Sequence, residues 1–222
     1  VTRLIATQIR MIFLQHSFIS VIILVTFMPL QLLLVIFGSS DAFSLQSYHA
    51  DQHLIHWLMA HLPWLLVYLL PPIWLFSTID QLCNFISIMV DVRLSKKLDY
   101  TLASYATITI ICLLTTFSFG FLPVLLRHPS FDWLSGIAWL VSIITGTIIF
   151  FCLTAVFNET WGLLLYLSFL ILTVAANHPY LITTGLNQPS FFVLINLGTN
   201  LFLLIILFVT LLFIFKHRVA YL

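Results

Sequence analysis

Apolar residues run in long unbroken stretches along this chain, and polar residues gather in short clusters between them. A helix of about 20 apolar residues crosses a bilayer core of about 30 Å. Six stretches fit that length, at about 18–38, 57–79, 102–126, 132–156, 160–176 and 191–215. The breaks between them carry turn chemistry. Gly38-Ser39-Ser40 ends the first, Arg127-His128-Pro129-Ser130 separates the third from the fourth, and Asn158-Glu159 marks a tight turn before the fifth. Asn177-His178-Pro179 opens a loop that continues through Gly185, Asn187 and Pro189. Pro63 and the pair Pro71-Pro72 fall inside the second stretch. Proline lacks an N–H and clashes with the preceding turn, so a kink or break is expected near Pro71. The first residues differ in pattern. Arg3, Thr7 and Arg10 recur at helical spacing while Leu4, Ile5, Ile9, Ile12 and Phe13 fill another face. That predicts an amphipathic helix over 2–15, lying at the membrane surface with its cations at the headgroups.

Composition fixes the solvent. Of 222 residues, 62% are hydrophobic and 7% charged, against about 25% charged in a soluble domain. A water-facing surface cannot be made from so few charges. Backbone groups in lipid must pair internally, which leaves helices or closed barrels. Long apolar runs without short alternating strands select helices. The expected fold is therefore all-α: one polytopic transmembrane domain over 1–222, with six spans and an interfacial helix. The first apolar run exceeds a signal peptide's apolar region and lacks a small-residue cleavage site, so it reads as retained. A net charge of +1 with no basic tract gives no surface for nucleic acid. Lipid is the partner that composition implies.

The few cations then set orientation. Cytoplasmic loops are enriched in Lys and Arg. With the N-terminus inside, Arg3, Arg10, Arg93, Lys96, Lys97, Lys216 and Arg218 all fall on the cytoplasmic side, and Arg127 alone falls outside. Both termini are then cytoplasmic. Merging the third and fourth spans would bury Arg127 at mid-membrane, at a cost of about 2.5–3.5 kcal/mol. The expected location is a cell membrane, and a bacterial plasma membrane in particular.

Candidate chemistry is sparse. His49, His53 and His56 would share one face of a helix, with Asp51 among them and His61 beyond. Neutral imidazoles with a carboxylate suit Zn²⁺ or Cu²⁺, and a titrating cluster could sense pH. A polar interfacial helix in which histidine sits at the headgroups is the plainer reading. Glu159 is the sole Glu, and no nucleophile elbow occurs. No GxxxxGK[ST] occurs either, so ATP binding through a P-loop belongs to another subunit. No charge lies near the centre of a span, which disfavours ion-coupled carriers and channels. Thr107, Thr109, Thr115, Thr116, Thr145, Thr147 and Thr154 could line a path, or bond back to their own helices and pack them together. Cys83, Cys112 and Cys152 form no CxxC and read as buried small hydrophobes. Trp57, Trp64, Trp133 and Trp161 fall near span ends, as in an aromatic belt.

The order of these parts resembles the membrane subunit of ABC-2-type transporters. Three segments carry the likeness. Ser87–Tyr100, the charge-rich stretch with Asp91, Arg93, Lys96, Lys97 and Asp99, stands where that family places its coupling helix. Leu153–Trp161 resembles the family's tight inner turn, and Asn177–Asn196 resembles its re-entrant outer segment. Leu94 and Ser95 follow Arg93, where the family usually has an acidic residue and a glycine. The resemblance implies no cofactor in this chain, ATP and Mg on a cytoplasmic ATP-binding partner, and a second permease half, identical or related. It implies export of an amphipathic or hydrophobic cargo, as in small permeases for bacteriocins and membrane-active peptides. Two alternatives stay open. One is the substrate-binding membrane component of an energy-coupling-factor vitamin transporter, although the small-residue faces it needs do not recur here. The other is a polytopic membrane enzyme using the outer histidines.

Overall fold

A computed structural model describes residues 2–15, 61–76, 97–127, 132–176 and 190–218, with isolated positions at 26, 29, 30 and 33. The elements are α1 (Thr2–Gln15), α2 (Leu62–Leu75), α3 (Lys97–Thr116), a π-helical turn (Phe117–Phe121), α4 (Leu122–Arg127), α5 (Trp133–Val156), α6 (Glu159–Ala176) and α7 (Ser190–Arg218). No strand occurs among the described residues. Among the described residues, three helices are long and apolar enough to cross a membrane: Leu98–Leu126, Trp133–Val156 and Ser190–Ile214. Leu62–Leu75 and Glu159–Leu172 are shorter apolar helices. The expected first span at 18–38 lies largely outside the described residues.

Helix α5 is the hub. Helices α2, α3, α6 and α7 all pack against it, and α1 lies on α3. The bundle buries 72% of the apolar window of α5 but only 11% of that of α7. Helix α7 therefore presents most of its circumference to the surroundings, through residues such as Leu194, Leu201, Phe202, Ile205, Val209 and Phe213. The core joins Trp139, Ile143, Ile148, Phe150 and Phe151 of α5 to Trp64, Tyr68 and Leu70 of α2, Ile108, Ile111 and Cys112 of α3, and Tyr166 and Leu170 of α6.

Two registers fix directions. Gly120 faces Trp139 and Cys112 lies beside Thr147, so eight residues back from Gly120 into α3 is eight residues forward along α5. Thr154 faces Gly162, and the Phe150 ring meets the Tyr166 ring at 5.6 Å. Both helix pairs are antiparallel.

Local chemistry explains the ends. Asp132, in extended conformation, caps α5 by accepting from the Leu134 and Ser135 N–H groups at 3.1 and 3.3 Å, which satisfies donors that a helix start leaves unpaired. Asn158 caps α6, its Oδ1 accepting from Trp161 N–H at 2.9 Å. Its φ is 155°, outside the regions that L residues ordinarily occupy. Gly162 lets the hairpin close, because a Cβ there would lie 2.8 Å from the Thr154 backbone.

Three expectations change. Of the kink or break expected near Pro71, the break does not occur: helix α2 continues through Pro71 and Pro72 to Leu75. The third helix begins at Lys97 rather than about 102, which puts Lys97 and Asp99 in its first turn. Trp64 is buried and packs on the Tyr68 ring at 4.5 Å, so it belongs to the core. Trp133 and Trp161, at helix ends, are exposed as a belt requires.

The π turn has a sequence cause. Pro123 cannot donate to the carbonyl four residues earlier, and its ring crowds it. The helix widens just before it, with Leu122 N–H bonding to Phe117 O, and so stays continuous to Arg127.

Candidate functional site

Of the residues expected to contact an ATPase, Asp91, Arg93 and Lys96 lie outside the described residues. Lys97 opens α3, and Asp99 sits half-buried in its first turn. His49, His53 and His56 also lie outside the described residues. Among the described residues no group of three His, Cys, Asp or Glu side chains converges. His61 is buried at the start of α2, where its carbonyl accepts from Leu65 N–H at 3.0 Å. Cys112 and Cys152 are buried and form no disulfide.

What the bundle does bring together is a set of neutral hydrogen-bonding groups on its inner faces. Most of the threonines bond back to their own helices. Thr109 donates to Tyr105 O, Thr115 to Ile111 O, Thr145 to Val141 O, Thr147 to Ile143 O and Thr154 to Phe150 O, at 2.8 to 2.9 Å. Thr107 does otherwise: its hydroxyl donates to Gln8 Oε1 at 2.8 Å. Gln8 Nε2 donates to Ser104 Oγ at 3.2 Å. Gln8 is buried at the centre of the inner face of α1, with Ile12 one turn on. One amide, both ends satisfied, thus ties the N-terminal helix to α3. A buried polar group costs free energy unless it is paired, and here both the amide oxygen and the amide nitrogen have a partner.

A second cluster joins α2, α5 and α6. The Tyr68 hydroxyl and Ser142 Oγ are hydrogen-bonded, Ser142 Oγ donates to Trp139 O at 2.7 Å, and Tyr166 OH donates to Tyr68 O at 3.2 Å. Gly146 leaves room for the Tyr166 hydroxyl, which would lie 3.0 Å from a Cβ there. Between α3 and α7, Tyr105 OH donates to Leu204 O at 2.6 Å and its ring meets Phe208 edge-on at 5.5 Å. On α7 itself, buried Asn200 donates to the carbonyl and the side chain of Asn196, both at 2.9 Å.

Sequence reading passed over Gln8, Ser104, Tyr68, Ser142, Tyr166, Asn196 and Asn200. Two signals were available. Gln8 stands among apolar positions on the face opposite Arg3 and Arg10, and Asn196 and Asn200 are spaced i, i+4 inside an otherwise apolar run. Intramembrane polar side chains of this kind hydrogen-bond between or along helices.

Among the described residues outside the spans, Asp132 has a clearly shifted carboxyl. The Ser135 hydroxyl, donating at 2.5 Å, holds its carboxyl below the ordinary value; desolvation opposes this, and the Leu134 and Ser135 N–H groups add to the lowering.

No family model matches the chain, and neither curated proteins nor solved structures provide a match.

Proposed function

We propose that the chain is the transmembrane subunit of an ATP-driven transporter, with six spans and both termini on the cytoplasmic side of a cell membrane. A separate ATP-binding subunit supplies ATP and Mg, and a second permease half, identical or related, completes the pathway. The observation that carries this reading is the docking of α1 near the Lys97 end of α3 through Gln8, Ser104 and Thr107. It supports placing Arg3, Arg10 and the charge-rich segment ending at Lys97 at one end of the bundle, as the charge-based topology requires. Under the same topology Tyr105, eight residues into α3, meets Phe208, eight residues short of Lys216.

In this reading Asp91, Arg93, Lys96, Lys97 and Asp99 form the surface that meets the ATPase. Because Lys97 and Asp99 are already helical, a push on that segment acts along α3 and through the antiparallel α3–α5 contact on the central helix. The cargo class is an amphipathic peptide or another hydrophobic molecule, in keeping with the apolar and aromatic composition of the bundle.

The test is affinity purification of the tagged chain from its own cells. A stable ATP-binding partner, lost when Arg93, Lys96 and Lys97 are all changed to Glu, is the expected result. A partner retained at full stoichiometry after that change refutes the docking surface. Cysteine labelling from each side at Ser47 and Ser95 should report opposite faces of the membrane.

A further inference from the structure

The outward face of α1 poses a question that its amphipathic pattern alone does not answer. Arg3, Ala6, Thr7 and Arg10 are exposed, and Gln8 and Ile12 on the opposite side are buried against the bundle. The inner face of α1 is therefore taken up by α3 rather than by lipid. The docking residues Ser104 and Thr107 lie inside the apolar window Leu98–Leu126. At 1.5 Å per residue they sit about 9–14 Å along the axis from Leu98. Leu98 and Leu102, at that same end of α3, are exposed. The window's 29 residues run about 44 Å against a bilayer core of about 30 Å; with the excess shared between its two ends, the docking residues lie a few ångströms inside the acyl boundary, where the outward side of α1 meets the headgroups.

Two guanidinium groups at that level need anions. Helix α1 has no acidic residue, and neither Arg3 nor Arg10 makes an ion pair among the described residues. The Thr7 hydroxyl between them donates to Arg3 O at 2.9 Å, so it adds no claim on a ligand. Seven residues separate the two arginines, which places them about 10 Å apart along the helix. Arginine binds phosphate oxygens in a two-pronged geometry, and its long stem lets the charged head reach toward the headgroups from a deeper backbone.

We propose that the Arg3–Arg10 face of α1 is a binding surface for the phosphate groups of anionic phospholipids, held in register by the Gln8 contact to α3. The occupant is lipid rather than an acidic soluble protein, because the docking level lies within the membrane-spanning window. The inference rests on the membrane character of the bundle and not on the transport reading, so loss of that reading leaves it standing.

The experiment uses the full chain in nanodiscs of phosphatidylcholine with a minority of phosphatidylglycerol. The lipid shell retained on detergent extraction is measured for wild type and for the R3Q/R10Q variant, whose changes lie on an exposed face. Wild type is expected to enrich phosphatidylglycerol, and each arginine removed should lower that enrichment about fivefold. The effect should weaken with added salt. A spin label on A6C, between the two arginines, should report the headgroup boundary. Equal phosphatidylglycerol enrichment in R3Q/R10Q and wild type overturns the proposal. So does a label at Ala6 in bulk water, the result expected if an acidic soluble protein were the occupant.

Discussion

The Tyr166 hydroxyl of α6 donates to the main-chain carbonyl of Tyr68 in α2, at 3.2 Å. In an unbroken helix that carbonyl would accept from the N–H four residues on. Residue 72 is proline and has none. A side chain from another helix thus fills the place that Pro72 left empty, in a setting where no water is at hand to do so. The carbonyl opposite Pro72 is thus paired within a helix that runs through Pro71 and Pro72 to Leu75.

Tyr166→Phe removes only that donor. It should destabilise the bundle by about 1–3 kcal/mol, the cost of an unpaired buried acceptor, measured by unfolding in detergent. Pro72→Ala restores an N–H to the helix, so the cost of Tyr166→Phe should shrink in that background. Equal costs in both backgrounds would show that the phenol does not serve the carbonyl.

Gly120→Ala would place a Cβ 2.7 and 2.8 Å from two ring carbons of Trp139. Trp139 is fully buried and has no room to yield. A loss of about 1–3 kcal/mol is expected from overpacking. Trp139→Phe removes the clashing ring carbons and should recover part of that loss in the double variant, read as a higher midpoint of thermal unfolding than for Gly120→Ala with the same ring change absent.

Gln8→Leu keeps bulk but cannot pair with Ser104 or Thr107. Interhelical hydrogen bonds in membranes contribute about 0.6–2 kcal/mol, so hydrogen exchange in α1 should speed up several-fold while α5 and α6 stay protected. Thr107→Val should reproduce part of the effect. Unchanged exchange in α1 would mean that Ile12 and its apolar neighbours hold the helix without the amide.

Asp132 gives a pH dependence with a definite sign. Its carboxyl lies below the ordinary value when folded, first through the Ser135 hydroxyl. A group depressed in the folded state stabilises it above the unfolded value, about 3.9, and that contribution fades as pH falls through the lowered folded value. Fraying at the start of α5 is therefore expected in acid. Asn is also a good N-cap, so Asp132→Asn should keep the cap and abolish this part of the pH dependence. Asp132→Ala should lose about 0.5–2 kcal/mol at neutral pH.

The long helices were legible because hydrophobic run length is a property of the chain itself. The turn at Asn158 and the start of α5 at Trp133 follow from capping chemistry at neighbouring positions, and both fall within a residue of where the sequence puts them. The threonines read as helix packers because their hydroxyls reach a carbonyl in their own helix, and five of them do. Pro71 misled because its effect depends on what stands opposite, and Tyr166 is 95 residues away. Trp64 misled because nearness to a span end does not say which way a ring turns.

The sequence by itself determined the class of protein: long apolar helices of membrane-spanning character, and the breaks between them. These are sums over local residues, and the bilayer reads them one segment at a time. Tertiary structure alone decided that α5 is the hub, that α1 is fastened through an amide, and that Tyr166 makes good the carbonyl left by Pro72. Each of these is a contact between groups far apart in the chain, satisfied only when particular faces meet, and no run of neighbouring residues encodes which faces those are.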